Sequence, residues 1–292
     1  MKTGKGREAG GAEFTTARAT IKSPSEAASR HVQRIQNVLG GAPFIWVHLN
    51  SFPAPSLCEN PSASRAAIAP AMLISLFAKT GRGMALFYFL RHGETEWNAE
   101  GRWCGRTDVP LSDVGRRQAQ LLAGRMKSVS VEALYSSPLG RALETARLVG
   151  QAVGREPWVD QRLAELNYGT WEGMTFAEVK RTMPAIYQAW DADPAHVAPP
   201  EGETGVQLIE RVTPFLFEVA RKYQHGSVVA VCHRTVCRLI ACHIMGIPLS
   251  EYRHRVAMDN AALNIFETRK GKWHVVTLND TSHLATPLAP LT

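Results

Sequence analysis

The chain has 292 residues, 45% apolar and 20% charged, which is ordinary for a globular protein with a sizeable core and more than one typical domain needs. Its net charge is +7, yet ten of the 33 basic and only four of the 26 acidic residues lie in residues 1–83, leaving 23 against 22 beyond them. The main domain is therefore almost neutral, and a nucleic-acid partner is not expected for it.

Residues 1–83 are rich in Ala, Gly, Ser and Pro, are broken by GGA, PAP and PSAS, and sustain neither a helical nor an alternating period. They read as a basic N-terminal extension of low order. The apolar run 66–78 carries Pro70 and is far shorter than the ~20 residues a spanning helix needs, so no membrane segment is expected. Arg and Ser content gives the leader a faint resemblance to an organelle transit peptide, without the amphipathic stretch such peptides carry. Met84 stands just before the first regular element, which suits an internal start as well as a leader. The expected organisation is thus an extension over 1–83, a main domain over 84–287 and a tail over 288–292.

From Met84 an unbroken apolar run, MALFYFL, ends abruptly in Arg91, His92 and Gly93, the pattern of a buried strand followed by a polar turn. Ser112 and Asp113 then predict an N-cap and first turn, with Val114, Leu121, Leu122, the Arg125 stem and Met126 approximating a 3.6 period. A strand over 131–135 follows. Ser137-Pro138 opens a helix whose core face is Leu139, Ala142, Leu143, Ala146 and Val149, with Arg141 in its first turn. Residues 174–192 predict one or two helices broken near Pro184, and residues 204–223 one helix with Ile209, Val212, Leu216, Val219 and Tyr223 on one side. A strand over 227–232, a helix over 234–245 and strands over 262–267 and 273–278 complete the chain. Strands alternating with helices of this length imply an α/β fold with a mainly parallel sheet covered on both faces.

Two of these strands deliver a histidine at their carboxyl ends, His92 beside Arg91 and His233 after Cys232, where open α/β sheets place their ligands. Gly93 would let backbone N–H groups approach a phosphate closely. Arg141, beside a helix N-terminus and just past a strand, is placed for an anion. Cys58, Cys104, Cys232, Cys237 and Cys242 make an odd number without CxxC spacing; neither a disulfide framework nor a zinc site is expected, and a reducing cytoplasm fits.

Arg91-His92-Gly93-Glu94-Thr95 with Trp97-Asn98 resembles the signature of the histidine phosphatase superfamily, whose founders are the cofactor-dependent phosphoglycerate mutases. Asp108 to Ser112, Ser136 to Ala142, Leu163-Ala164-Glu165, Gly169 to Gly173, Pro200 to Thr204, Cys232-His233 and Asp280 to Leu284 match in the same order. The resemblance covers residues 84–287 and implies a three-layer α/β/α sandwich. It implies His92 as nucleophile, attacking phosphorus to give a phosphohistidine, with Arg91, Arg141 and His233 stabilising the phosphoryl oxygens. Glu165 would be the acid and then the base. Asn98 resembles a phosphate-contacting position, and Cys104-Gly105 lies where the family lines the substrate mouth.

One departure is Arg234, where the family commonly has glycine; its guanidinium either binds a second phosphate or a carboxylate, or points outward. The spacing from Cys232-His233 to Arg238 is similar to the fructose-2,6-bisphosphatase branch, so sugar bisphosphates enter as substrates to consider. No DxD-type cluster accompanies the site, and no metal or cofactor is implied. Gly173 runs directly into a short helical region, without the long segment that accompanies mutase activity in the family; the short form resembles broad-specificity and α-ribazole phosphatases. The expected function is hydrolysis of a small phosphorylated metabolite, with phosphoglycerate mutase or sugar-bisphosphatase activity as the alternative and a phospho-ligand module without turnover as the competing class. Oligomeric state is left open.

Overall fold

The computed structural model describes residues 84–285. The expected extension over 1–83, the last two residues of the expected domain and the tail over 288–292 lie outside the described residues. Fourteen regular elements, besides short 3₁₀ turns, follow one another: β1 Met84–Arg91, α1 Glu96–Ala99, α2 Asp113–Met126, β2 Ala133–Ser136, α3 Gly140–Val153, β3 Pro157–Val159, α4 Phe176–Thr182, α5 Pro184–Ala192, α6 Gly205–Lys222, β4 Gly226–Cys232, α7 Arg234–Met245, α8 Tyr252–Arg255, β5 Leu263–Arg269 and β6 Lys272–Asp280. The six strands form one sheet in the order β3-β2-β4-β1-β5-β6. The pairs from β3 to β1 are parallel, and β5 and β6 join antiparallel.

Side-chain alternation sorts the central strands onto two faces. Phe87, Phe89, Val228, Ala230 and Cys232 share a core with Leu208, Val212, Phe215 and Leu216 of α6 and Val236, Leu239 and Ile240 of α7. Leu86, Tyr88, Leu90, Val229 and Val231 are buried on the opposite face, the side of α2 and α3, where Leu134 packs against Gly150. A sheet between two helical layers is the sandwich the sequence implies. Each fully buried Phe or Leu contributes about 1.5–3 kcal/mol, so the central pair β1 and β4, apolar on both faces, anchors the domain.

The expected Ser112 cap of α2 is present, whereas α3 starts at Gly140, two residues after Pro138 and without a side-chain cap; two further helix starts are capped by their own local chemistry. The Ser112 side chain accepts from Gly115 N at the start of α2, Thr175 and Glu178 form a capping box at α4, and Thr204 and Gln207 form one at α6, each cap worth roughly 1 kcal/mol. Pro184 occupies the first turn of α5, so the region 174–192 is two helices.

Two readings of faces are corrected. In α2 the buried residues are Gly115, Ala119, Leu122, Ala123 and Met126, whereas Val114 and Leu121 are exposed. The helix turns its small side inward because Gly115 meets the backbone of Glu94: a Cβ on Gly115 would lie 1.9 Å from Glu94 O. In α3, Ala142, Ala146 and Val149 are buried but Leu139 and Leu143 only partly, and the fully buried positions include Arg141 and Thr145. The start of α3 is built to hold polar groups inside, not apolar ones. Strand β3 and helices α1 and α8 have no counterpart in the sequence reading; all are under one and a half turns or three residues long, too short for periodicity to reveal.

Candidate active site

Strands β1 and β4 are neighbours, paired so that Arg91 faces Cys232, and His92 N donates to Cys232 O at 3.1 Å. The next residue of each strand is a histidine. The His92 and His233 rings consequently lie 5.0 Å apart between centroids, 3% and 0% exposed.

His92 Nδ1 is 2.6 Å from the Gly93 carbonyl. A carbonyl only accepts, so Nδ1 carries the hydrogen and Nε2 of the neutral ring keeps its lone pair. Burial, then the Arg141 and Arg91 guanidiniums, hold the His92 imidazole well below its ordinary value. His233 is lowered likewise, by burial first and then by Arg141, His92 and Arg91; its Nε2 is 2.7 Å from Ser137 Oγ, and its Nδ1 is buried without a partner.

Both guanidiniums are buried. Arg91 Nη1 donates to Met258 O at 2.8 Å; Arg141 donates to Thr107 O at 2.9 Å and Gly105 O at 2.6 Å. Each keeps a buried Nε without a partner, and neither forms a salt bridge to a carboxylate among the described residues. Burial and then the neighbouring Arg234 charge lower Arg91 itself. A positive pocket of this kind favours a dianion, whose arrival would in turn favour protonation of His233.

Glu165 is 3% exposed. Its carboxylate accepts from Leu166 N at 2.7 Å and from Thr235 N at 3.1 Å, which ties it to the first turn of α7, two residues from His233. Its carbonyl accepts from Arg106 Nε at 2.6 Å and Arg211 Nη2 at 3.1 Å. The structure thus brings His92, His233, Arg91, Arg141 and Glu165 to one end of the parallel strands.

The four further candidates are placed differently. Gly105 supplies the carbonyl that holds Arg141, and Glu172 Oε1 would lie 2.2 Å from a Cβ there. Cys104 is partly buried beside Arg141 and Thr95, and burial pushes its thiol up. Asn98 caps α1: its Oδ1 accepts from Thr95 N at 3.2 Å and Asn260 Nδ2 at 3.0 Å, so a phosphate contact would fall to its amide nitrogen. Arg234 opens α7 with its charge bearing on Arg91 and His92. The reading of Gly93 is corrected: its N–H donates to Thr145 Oγ1 at 3.3 Å, and a Cβ there would lie 2.2 Å from Gly115 O. Glycine is required for the approach of α2, not to open a phosphate cradle.

Several partners escaped the sequence reading. Thr145, one turn beyond Arg141 on α3, accepts from Gly93 N and donates to Arg141 O at 2.9 Å, and that i, i+4 spacing was the available signal. Glu172 accepts from the backbone of Arg106, Thr107 and Tyr168, shaping the loop that holds Arg141. The carbonyl of Met258 has no sequence signal at all. The four cysteines among the described residues are free, and no group of three His, Cys, Asp or Glu side chains there is arranged for a metal ion.

The two lowered histidines make stability pH-dependent. Between their folded values and the ordinary 6.5, the unfolded chain binds protons that the native site refuses, so stability is lost as pH falls below 6.5, by up to about 1.4 kcal/mol per pH unit for each ring. Urea midpoints from pH 7.5 to 5.0 should fall more steeply for the wild type than for His233→Gln; parallel curves would refute this.

The profile of the histidine phosphatase superfamily (branch 1) matches residues 87–281. Phosphoserine phosphatase 1 of Hydrogenobacter thermophilus is 33% identical over 201 residues, 69% of this chain and 95% of that protein. Glucosyl-3-phosphoglycerate phosphatase of Mycolicibacterium vanbaalenii is 36% identical over 180 residues, 59% of this chain and 80% of that one. Among solved structures, YhfR of Bacillus stearothermophilus superimposes with a TM-score of 0.65 at 32% identity, covering 68% of this chain and 99% of its own. With a histidine directly after each of two paired strands, a matching profile over two thirds of its length and relatives aligned over 80–99% of their own lengths, the chain belongs to branch 1 of the histidine phosphatase superfamily.

Proposed function

We propose that the protein hydrolyses phosphomonoesters of small metabolites through a phosphohistidine on His92, with residues 84–287 as the catalytic domain. The observation that carries this reading is the pair of buried imidazoles 5.0 Å apart beside two guanidiniums without a carboxylate partner among the described residues. The phosphoryl group would lie between them, its equatorial oxygens on Arg91, Arg141 and His233. His92 Nε2 forms the N–P bond as the ester P–O bond breaks, and Glu165 gives its proton to the leaving oxygen. Water then attacks phosphorus and loses its proton to Glu165, the N–P bond breaks, and inorganic phosphate leaves. The names of the phosphoserine and glucosyl-3-phosphoglycerate phosphatases among its relatives support a phosphorylated small molecule as substrate.

Hydrolysis is favoured over mutase chemistry by one local feature. After Glu165, the chain passes through Gly173 and Thr175 straight into α4, with no inserted segment to shield a phosphoenzyme from water. Among the described residues no helix is long and apolar enough to cross a membrane.

A panel assay tests the reading. The protein should release phosphate from p-nitrophenyl phosphate and from small phosphorylated metabolites, and phosphoryl transfer between positions of phosphoglycerate should be slower than hydrolysis. Phosphate binding without turnover on the whole panel would favour the phospho-ligand module instead.

A further inference from the structure

The proposed chemistry asks opposite things of two buried imidazoles. His92 must show a bare nitrogen to phosphorus, and His233 must show an N–H to a phosphoryl oxygen. A neutral ring carries one hydrogen, so the nitrogen that the protein occupies decides what the other one presents. On His92 the Gly93 carbonyl takes Nδ1–H and leaves Nε2 bare. On His233 the protein holds the other atom, Nε2, 2.7 Å from Ser137 Oγ.

The direction of that second bond follows from the surroundings of Ser137. The residue is 0% exposed, and its N donates to Val231 O at 2.9 Å, which fixes the end of β2 beside β4, the strand that leads into His233. Its Oγ already accepts from Leu139 N at 3.3 Å, so the hydroxyl hydrogen needs an acceptor, and His233 Nε2 is the one in reach. The single hydrogen of the ring is then on Nδ1. Nδ1 is buried without a partner, and although His233 is the N-cap residue of α7 its side chain makes no capping bond, as expected of a nitrogen that carries hydrogen and cannot accept from a helix N–H. Ser137 is not a capping serine either, because α3 starts at Gly140 without a side-chain cap. The adjoining Ser136 hydroxyl donates to Ser137 O at 2.9 Å and leaves the ring to Ser137.

We propose that Ser137 is the positioning residue of His233: by donating to Nε2 it fixes the tautomer in which Nδ1–H faces the phosphoryl oxygens. This rests on the phosphatase reading above and deepens it. Both rings are then the same tautomer, used from opposite ends. When a bound dianion draws a proton onto His233, the Ser137 hydroxyl turns to accept from Nε2–H, and Nδ1–H stays in place. Arg141 from α3, His92 and Arg91 from the end of β1 and Arg211 from α6 all oppose that proton in the free protein; the Glu165 carboxylate is held at Thr235 N.

Two measurements test this. In wild-type protein free of phosphate, imidazole ¹⁵N spectra assigned with His233→Gln should show the His233 hydrogen on Nδ1 and a bare Nε2; hydrogen on Nε2 overturns the proposal whatever the variants do. In Ser137→Ala the hydrogen is free to move between the nitrogens. Where the ring is neutral, part of the population then turns a bare Nδ1 on the phosphoryl group, whereas a protonated ring carries Nδ1–H regardless. The deficit of Ser137→Ala in kcat/KM for p-nitrophenyl phosphate should therefore grow as pH rises, by roughly 10-fold or more from pH 5.5 to 8.0. Ser137→Thr, which keeps the hydroxyl, should restore a ratio to wild type that does not change with pH. A Ser137→Ala deficit equal at both pH values marks a packing role and overturns the positioning role, as does full activity. Should Ser137→Ala not fold, the wild-type spectrum decides. A wild type that hydrolyses no ester overturns the phosphatase reading, while hydrogen on Nδ1 in its spectrum still supports the assignment to Ser137.

Discussion

His92→Ala is expected to lower kcat by about 10⁴-fold or more on every substrate, since it removes the atom proposed to form the covalent intermediate and leaves only the electrostatic pocket. The same change should abolish labelling. Wild-type protein quenched in alkali during turnover of a ³²P ester should retain label as phosphohistidine, and the variant should retain none. The rest of the pocket stays intact, because Arg91 and Arg141 are held by the carbonyls of Met258, Thr107 and Gly105 and not by His92. Inorganic phosphate should therefore still bind the variant, measured by calorimetry. Undiminished turnover, or label surviving in the variant, would remove His92 from the mechanism.

Glu165→Gln is expected to separate substrates by their leaving groups. An alkoxide leaves poorly without a proton, so hydrolysis of an alkyl phosphate should fall by about 10²–10⁴-fold. Nitrophenolate leaves without one, so p-nitrophenyl phosphate should still phosphorylate the variant in a fast burst, followed by slow turnover as the intermediate waits for an activated water. Stability should fall too. Glu165 accepts from both Leu166 N and Thr235 N, and a carboxamide offers one acceptor where two are needed, at a cost of roughly 1–3 kcal/mol. Equal losses on the two substrate types would count against Glu165 as the acid.

Much of this site was legible because its markers are local. A buried run that stops at Arg91-His92 and a second that stops at Cys232-His233 are signals of strand end that need no partner to be read. The errors have a common origin in contacts between distant segments. The expected cradle at Gly93 and the expected apolar positions Val114 and Leu121 of α2 are overturned because Gly115, 22 residues away along the chain, packs its backbone against that turn, while Leu122 and Met126 are buried as expected. Val114 and Leu121 were apolar at plausible spacing, but close backbone approach decided the orientation of the helix, and apolar periodicity carries no information about that.

By itself the amino-acid sequence determined the buried strands, their histidine termini, the cap of α2 and the alternation of strands and helices that makes an α/β fold, since these follow from neighbours within one turn or one pleat. Only the tertiary structure decided that β4 lies beside β1, with Arg91 facing Cys232, and that Glu165 is fastened to Thr235 at the head of α7. Strand order and such cross-links depend on which surfaces bury one another over separations of 70 residues and more, and no short window of sequence contains both surfaces.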